Sequence, residues 1–344
     1  MKKRDIHILA IESSCDDTSA AVLKNDTVMS NVVASQKIHE LYGGVVPELA
    51  SRAHQQNIVV VVKQALYEAN IELQTLDAFA FTQGPGLVGS LIVGASFTKA
   101  LALALNKPLI GVNHMEAHVL AHLIQDDSPT PRFPFLCLTI SGGHTQIVLV
   151  ENPRSMLVIG STIDDAAGEA FDKTAKILGL PYPGGPLIDH FAKLGNPKSF
   201  QFAKPKIADF NYSFSGLKTS ILYTIQKKLI DNSNFVTANL NDICASVQST
   251  ISAILFEKLV LAARKHRIHE VCIAGGVAAN SQIRSDLQRI GLEEGWNTYI
   301  PKFEYCTDNA AMIGVSAYFQ FLNNEFVGQD VSPRARMPIS PDFQ

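Results

Sequence analysis

The sequence predicts a mixed α/β protein made of two similar domains facing one cleft. Three observations predict this. A run of three short apolar strands broken by polar turns opens the chain, and the same run recurs near the middle. Helical stretches follow each run. Glycine-rich turns fall where strands end, where backbone can approach a ligand closely.

In the first run, Ile6–Ile11 reads as a strand, and residues Glu12 to Asp17 form a polar turn. Ser19–Leu23 is a second strand, Asn25-Asp26 a tight turn and Thr27–Val33 a third strand. Helical stretches follow at Pro47–Ala69 and Leu87–Leu105. The latter is the most apolar region, but it carries Ser90, Ser96, Thr98 and Lys99. It reads as a buried helix rather than a membrane span.

In the second run, Phe135–Ile140 is a strand, Ser141-Gly142-Gly143-His144 a turn and Thr145–Val150 a strand. Asn152-Pro153 turns the chain into Met156–Ile159. Helices are expected over Asp165–Leu178 and Ile243–His266. Gly142 and Gly143 lack side chains, so backbone N–H groups can reach an anion, although an ordinary hairpin turn has the same composition. Two further glycine sites lie in this half. Tyr182–His190 (YPGGPLIDH) is a Pro/Gly loop entering a helix. Val271–Asn280 (VCIAGGVAAN) runs from an apolar strand through Gly275-Gly276 to a helix start near Ala278.

A length of 344 residues suits about two domains. With 47% hydrophobic and 18% charged residues, the chain can build substantial cores. A net charge of −3 gives no global basic field, so nucleic-acid contact would need local patches. Candidates are Lys2, Lys3 and Arg4; Lys198, Lys204 and Lys206; and Arg264, Lys265 and Arg267, the last reading as a solvated helix end. The five cysteines, Cys15, Cys137, Cys244, Cys272 and Cys306, are odd in number and form no C-x-x-C. That argues for a reducing, cytoplasmic setting and against a disulfide framework or a cysteine zinc site. Cys15 sits in the polar turn; the others have apolar neighbours. The run Ile6–Ile11 is too short for a signal peptide and leads directly into Glu12.

His-Met-Glu-Ala-His (114–118) carries the sharpest chemical signal. Positions four apart share a helix face, so His114 and His118 can grip one metal ion. The zinc-protease pattern H-E-x-x-H needs its Glu directly after the first His. Here Glu116 lies two residues on, roughly 200° around the helix, and the protease reading loses its base. A polar helix face that happens to carry two histidines remains open without a third ligand.

These pieces resemble the tRNA adenosine threonylcarbamoyltransferase family, formerly labelled O-sialoglycoprotein endopeptidase, in its bacterial branch. The resemblance runs from IESSCDDTSAAV to TDNAAMIG. It includes GGVVPELASRAH (43–54), KALALALNKPLIGVNHMEAHV (99–119), SGGHTQ, DDAAGEAFDKTAKILGL, YPGGP, YSFSGLK (212–218) and GGVAAN. It implies two duplicated ribonuclease-H-like domains of the actin/hexokinase/Hsp70-like fold group around a central cleft. The expected divisions are 1–130, 131–307, and a C-terminal helix and tail, 308–344, returning to the first domain.

The resemblance also implies a site. Asp308 would be the third metal ligand beside His114 and His118, on Fe(II) by preference or Zn(II). By residue type alone, Asp308 could equally cap the helix of Ala310–Phe321. Thr139 and Ile140 would belong to the substrate site, and the Ser141-Gly142-Gly143 turn would face the nucleotide phosphate. Asp172, Gly185, Asp189 and Asn280 would surround ribose and adenine. Glu12 is the candidate for positioning an incoming group. The implied reaction moves a threonylcarbamoyl group from threonylcarbamoyl-AMP to N6 of the adenosine 3′ to the anticodon of tRNA. The implied partners are a paralogous subunit and a small P-loop ATPase, and this chain has no G-x-x-x-x-G-K-[ST] of its own. Competing readings are a phosphotransferase of the same fold group, a metalloprotease, or a nucleotide-dependent scaffold.

Overall fold

The computed structural model describes residues 4–339. Contacts divide them into two units, the first from the described parts of Met1–Pro131, Glu151–Leu157 and Pro301–Gln344. In chain order it carries β1 (His7–Glu12), β2 (Thr18–Lys24), β3 (Thr27–Ala34), α1 (Pro47–Ala69), β4 (Ala78–Gly84), α2 (Val88–Leu105), β5 (Leu109–Asn113) and α3 (His114–Leu120). Its five-stranded sheet has the order β3-β2-β1-β4-β5. β1, β2 and β3 pair antiparallel, whereas β4 runs parallel to β1 and to β5. The tight turn between β2 and β3 places Asn25 at φ 57°, a left-handed conformation that Asn tolerates.

Alternation along the strands sends side chains to two layers. Leu9, Ile11, Phe79 and Phe81 meet Ile58, Val61, Val62 and Ala65 of α1 and Ala95 and Ala102 of α2. Ile8, Ala10, Ala78, Ala80, Ile110 and Val112 meet the late helix of Ala310–Leu322. Pro47 starts α1 with a preset φ, and Asn70 ends it in the left-handed conformation. The apolar α2 is buried on one face only, through Ser90, Leu91, Gly94, Ala95, Thr98 and Ala102. Val88, Ile92 and Leu103 remain exposed, so the expected buried helix is buried on one face only.

The second unit comprises Arg132–Val150 and Val158–Ile300. It opens with β6 (Phe135–Ile140), β7 (Thr145–Asn152) and β8 (Ser155–Ser161), whose hairpin tip, Glu151–Leu157, groups with the first unit. Then come α4 (Ala167–Ile177), α5 (Gly184–Ala192), α6 (Ser215–Asp231), α7 (Phe235–His266), β9 (Glu270–Ala274), α8 (Ser281–Glu294) and β10 (Asn297–Tyr299). The sheet order is β8-β7-β6-β9-β10, the arrangement of the first sheet repeated. α7 begins eight residues before the expected Ile243. Phe235, Val236 and Leu240 of its first turns pack on the core, but Asn239 leaves helical geometry with its amide on Phe235 O and interrupts the period there. The chain closes in the first unit with α9 (Ala310–Leu322).

Of the basic clusters, Lys2 and Lys3 lie outside the described residues, and Arg4 pairs with Asp77. Arg264 pairs with Glu294 at 2.6 Å and Lys265 lies over the Phe210 ring, as suits a helix end. Lys198, Lys204 and Lys206 are exposed. All five cysteines are free, with Cys15 half-buried and the other four buried.

Candidate functional site

β5 turns directly into α3 because Asn113 caps the helix, its carbonyl oxygen accepting from the N–H groups of Met115 (2.9 Å) and Glu116 (3.2 Å). Met115, Ala117, Val119 and Leu120 anchor the short helix among buried side chains. The His114 and His118 rings then meet edge to face, centroids 4.7 Å apart. Asp308 lies 190 residues later in sequence from His118, yet its Oδ1 is 3.2 Å from His118 Nε2 and 3.4 Å from His114 Nε2. One donor atom from each residue lies within 4.8 Å of the others. The cap of α9 is Asn309, whose oxygen accepts from Met312 N–H at 3.0 Å. The capping role considered for Asp308 is thus filled by its neighbour, because the Asp308 carboxylate is turned to the histidines.

Glu12 ends β1 completely buried. Its carboxylate accepts from the Thr82 hydroxyl of β4 and the Ser14 N–H, and one oxygen lies 3.1 Å from His114 Nδ1. The turn after it is tied down from both covering helices. Ser90 of α2 donates to Cys15 O at 3.0 Å, and the Ser13 hydroxyl donates to Ser90 O at 3.0 Å. His54 of α1 is 3.0 Å from Cys15 O through Nε2 and 2.8 Å from the Thr18 hydroxyl through Nδ1. Burial holds the His54 pKa below its usual value, which favours neutral imidazole. Its Nε2–H therefore donates to the carbonyl, and Nδ1 accepts from Thr18.

Charge in this cluster is tightly coupled. Burial pulls His114 down, but Asp308 and Glu12 outweigh it and push its pKa up to about 10. Burial raises Asp308 and Glu12, yet His114 outweighs it and holds both carboxyls below the usual carboxylate range. Burial keeps His118 below its usual value. One imidazolium between two carboxylates leaves one negative charge, at a point where two ring nitrogens and a carboxylate oxygen converge. That donor set fits a divalent transition metal with open positions. Glu12 behind His114 Nδ1 is the outer-shell carboxylate such a ligand commonly has. Glu116 points away, pairing with Arg154 at 3.2 Å, and Arg154 also holds Glu325 at 2.6 Å. Burial, then the Asp16 and Asp308 carboxylates, push the Cys15 thiol far up, so it is no thiolate nucleophile.

In the second unit, the sequence-predicted nucleotide residues form a closed circuit of contacts at the carboxyl ends of β6 and β9. Ser141 N–H donates to His144 O (2.8 Å) and His144 N–H to Ser141 Oγ (3.1 Å). Between them Gly142 and Gly143 are exposed, with open space where side chains would stand. Gly168 N–H donates to Ser141 O at 3.2 Å, linking the turn to α4. On α4, Asp172 Oδ1 accepts from the N–H groups of Gly184 (2.9 Å) and Gly185 (3.3 Å), which open α5. On α5, Asp189 Oδ1 accepts from the Ser281 hydroxyl (2.6 Å) and N–H (3.2 Å) at the start of α8. Gly275 closes the ring: a Cβ there would stand 2.5 Å from Ile140 O.

Thr139 and Ile140 are fully buried in β6, backbone included, so neither presents an accessible group to a ligand in this structure. Asn280 caps α8 through Gln282 and Ile283 N–H (both 3.1 Å), and its amide donates to Gln248 at 2.8 Å. Its side chain is thus engaged in holding the loop. The residues not foreseen, Ser14, His54, Thr82, Asn113 and Gln248, are neutral polar groups that gain a role only through tertiary neighbours.

The family profile of tRNA N6-adenosine threonylcarbamoyltransferase, TsaD, matches residues 27–315. A protein of that name from Christiangramia forsetii is 59% identical over 337 residues, covering 98% of this chain and 99% of its own. One from Porphyromonas gingivalis is 54% identical over 340 residues, covering 98% and 100%. Among solved structures, full-length HypF in its phosphate- and nucleotide-bound form aligns with 95% of this chain and 48% of its own, at TM-score 0.61 and 13% identity. The activator of the 2-hydroxyisocaproyl-CoA dehydratase from Clostridium difficile aligns with 93% and 97%, at TM-score 0.50 and 14% identity. These two share the fold, an ATPase-type pair of mixed sheets. A match over most of the chain, relatives identical at more than half of all positions and the duplicated sheets lead to one conclusion: this chain belongs to the tRNA N6-adenosine threonylcarbamoyltransferase family, enzymes of the transferase class.

Proposed function

We propose that this chain transfers the threonylcarbamoyl group of threonylcarbamoyl-AMP to N6 of the adenosine 3′ to the anticodon, in the cytoplasm. The observation that carries the proposal is the convergence of His114, His118 and Asp308 backed by Glu12. An exocyclic purine amine is a weak nucleophile because its lone pair delocalises into the ring. The transfer forms a bond from N6 to the carbamoyl carbon and breaks the bond from that carbon to the phosphate oxygen. AMP leaves with the electron pair, and N6 loses a proton. A divalent ion at the three donors, Fe(II) or Zn(II), supplies Lewis acidity toward an acyl oxygen.

The chain's own residues do the rest. Glu12 accepts from His114 Nδ1–H and so directs Nε2 toward Asp308. The exposed Gly142-Gly143 backbone of the Ser141-Gly142-Gly143 turn offers N–H groups to the AMP phosphate. Asp172 and Asp189 fix the starts of α5 and α8 around the nucleoside. Glu12→Gln keeps the shape but presents an amide to Nδ1, favouring the tautomer with its proton on Nε2. Metal affinity should fall about 10–100-fold, as is typical for an outer-shell partner. Metal competition against a chromogenic chelator measures this, and unchanged affinity would remove Glu12 from the site.

A paralogous subunit fits the exposed apolar side chains of two adjacent helices, Val59, Val60 and Tyr67 on α1 and Val88, Ile92 and Leu103 on α2. A separate P-loop ATPase would supply the nucleotide hydrolysis motif absent here. The deciding experiment is mass spectrometry of tRNA nucleosides after depletion of the protein. Loss of N6-threonylcarbamoyladenosine is expected; its persistence at the normal level would overturn the proposal.

A further inference from the structure

Beyond α9 the chain becomes a strap laid across the first unit. Val327 N–H donates to Leu109 O (2.9 Å) and Arg334 N–H to Gln83 O (2.7 Å). Gly86 N–H donates to Ala335 O (3.2 Å) and Gln83 Nε2 to Ser332 O (3.2 Å). Lys99 Nζ holds Val331 O at 2.9 Å. Gly84, at φ 159°, has no side chain because the Arg334 carbonyl occupies that space. The strap ends on the metal helix itself: Asn113, the cap of α3, donates through Nδ2 to Pro338 O at 2.8 Å. Its backbone is therefore fixed beside His114, while two of its side chains are left free. Arg334 and Arg336 are exposed and form no ion pair among the described residues. Elsewhere Arg52, Arg154, Arg264 and Arg289 each hold a carboxylate. From Val331 to Ile339 the strap carries no acidic residue, and the Lys99 ammonium adds a third cation.

Guanidinium groups displayed from a pinned backbone suit a polyanion of fixed spacing. We propose that Arg334 and Arg336 bind backbone phosphates of the RNA substrate, seating the strand beside α3. This inference rests on the tRNA reading above. It explains how a chain of net charge −3 holds RNA, with a small local patch where the chemistry occurs.

The test is binding of unmodified tRNA to the full chain between 50 and 200 mM salt, for the wild type and for the Arg334→Gln/Arg336→Gln variant. Each lost phosphate contact lowers the slope of log affinity against log salt by about 0.7–0.9, so the double variant should be shallower by about 1.4–1.8. Its thermal midpoint should match the wild type, because only backbone atoms of these residues pin the strap. Equal affinity and slope for variant and wild type would overturn the inference alone. A wild-type chain that binds no tRNA at any salt, alone or with its partner proteins, would overturn the function reading itself.

Discussion

His114→Ala should yield a folded protein that retains no metal at the candidate centre and performs no transfer. His114 touches Glu12, Ser14 and Asp308 together. Its loss removes one of three donors, so the fall in metal affinity should exceed the about 10–100-fold of an outer-shell change. It also leaves Glu12 and Asp308 without the imidazolium that holds both ionised. Breaking a buried pair this way costs about 3–5 kcal/mol while the remaining charge stays ionised. The sign with pH follows. In the variant both carboxyls lose the group that lowers them, so their folded-state pKa values rise above the wild-type ones. Deprotonation then opposes folding, and the deficit in stability grows as pH rises through those values. Below the ordinary imidazole value His114 is protonated in the folded and the unfolded wild type alike, so the carboxyls set the trend there. Thermal unfolding of metal-free protein should show a larger gap between variant and wild type at pH 6 than at pH 4, and above that the wild type also loses the contribution of its raised His114. Metal analysis and nucleoside assays complete the test; a variant with normal metal content and rate would remove His114 from the mechanism.

Gly275→Ala should damage the second unit strongly. Gly275 sits at φ 89° and ψ 167°, a region almost exclusive to glycine. A Cβ there would press on Ile140 O at 2.5 Å, across the parallel pair β6–β9. Backbone strain of about 1–3 kcal/mol adds to an overpacking penalty of about 1–3 kcal/mol, so a loss of about 2–6 kcal/mol is expected. AMP binding should weaken too, because the same contact closes the loop circuit. Gly276→Ala is the matched control: its Cβ would meet nothing within 4 Å. Denaturant unfolding of both variants decides the matter, and equal midpoints would sink the packing argument.

What the sequence disclosed was mainly what local chemistry determines. β1 to β3 were readable because apolar runs stop at Asn, Asp and Ser turns, and α1 because Pro47 and Asn70 punctuate it. The two histidines were readable because a helix converts a spacing of four into a shared face. Asp308 was not readable from spacing and entered through resemblance; beside Asn309, residue type alone could not say which would cap α9. Asn280 shows the converse ambiguity, since an amide suited to a nucleoside is equally suited to capping α8. Glu12 was visible as a polar residue ending a strand. Its attachment to His114 depended on β1, β4 and β5 lying side by side, which no local signal encodes. The early turns of α7 were missed because the distortion at Asn239 breaks the helical period between them and the rest of the helix.

The position of α9 has a consequence for biosynthesis. Ribosomes release the strands of the first sheet early, whereas the helix that shields Ile8, Ala10, Ile110 and Val112 is translated nearly last. At about 5–20 residues per second, the roughly 200 intervening residues leave that greasy surface bare for roughly 10–40 s on each nascent chain. Newborn molecules are therefore natural clients for chaperones, and premature termination before residue 310 yields a sticky fragment rather than a smaller working enzyme.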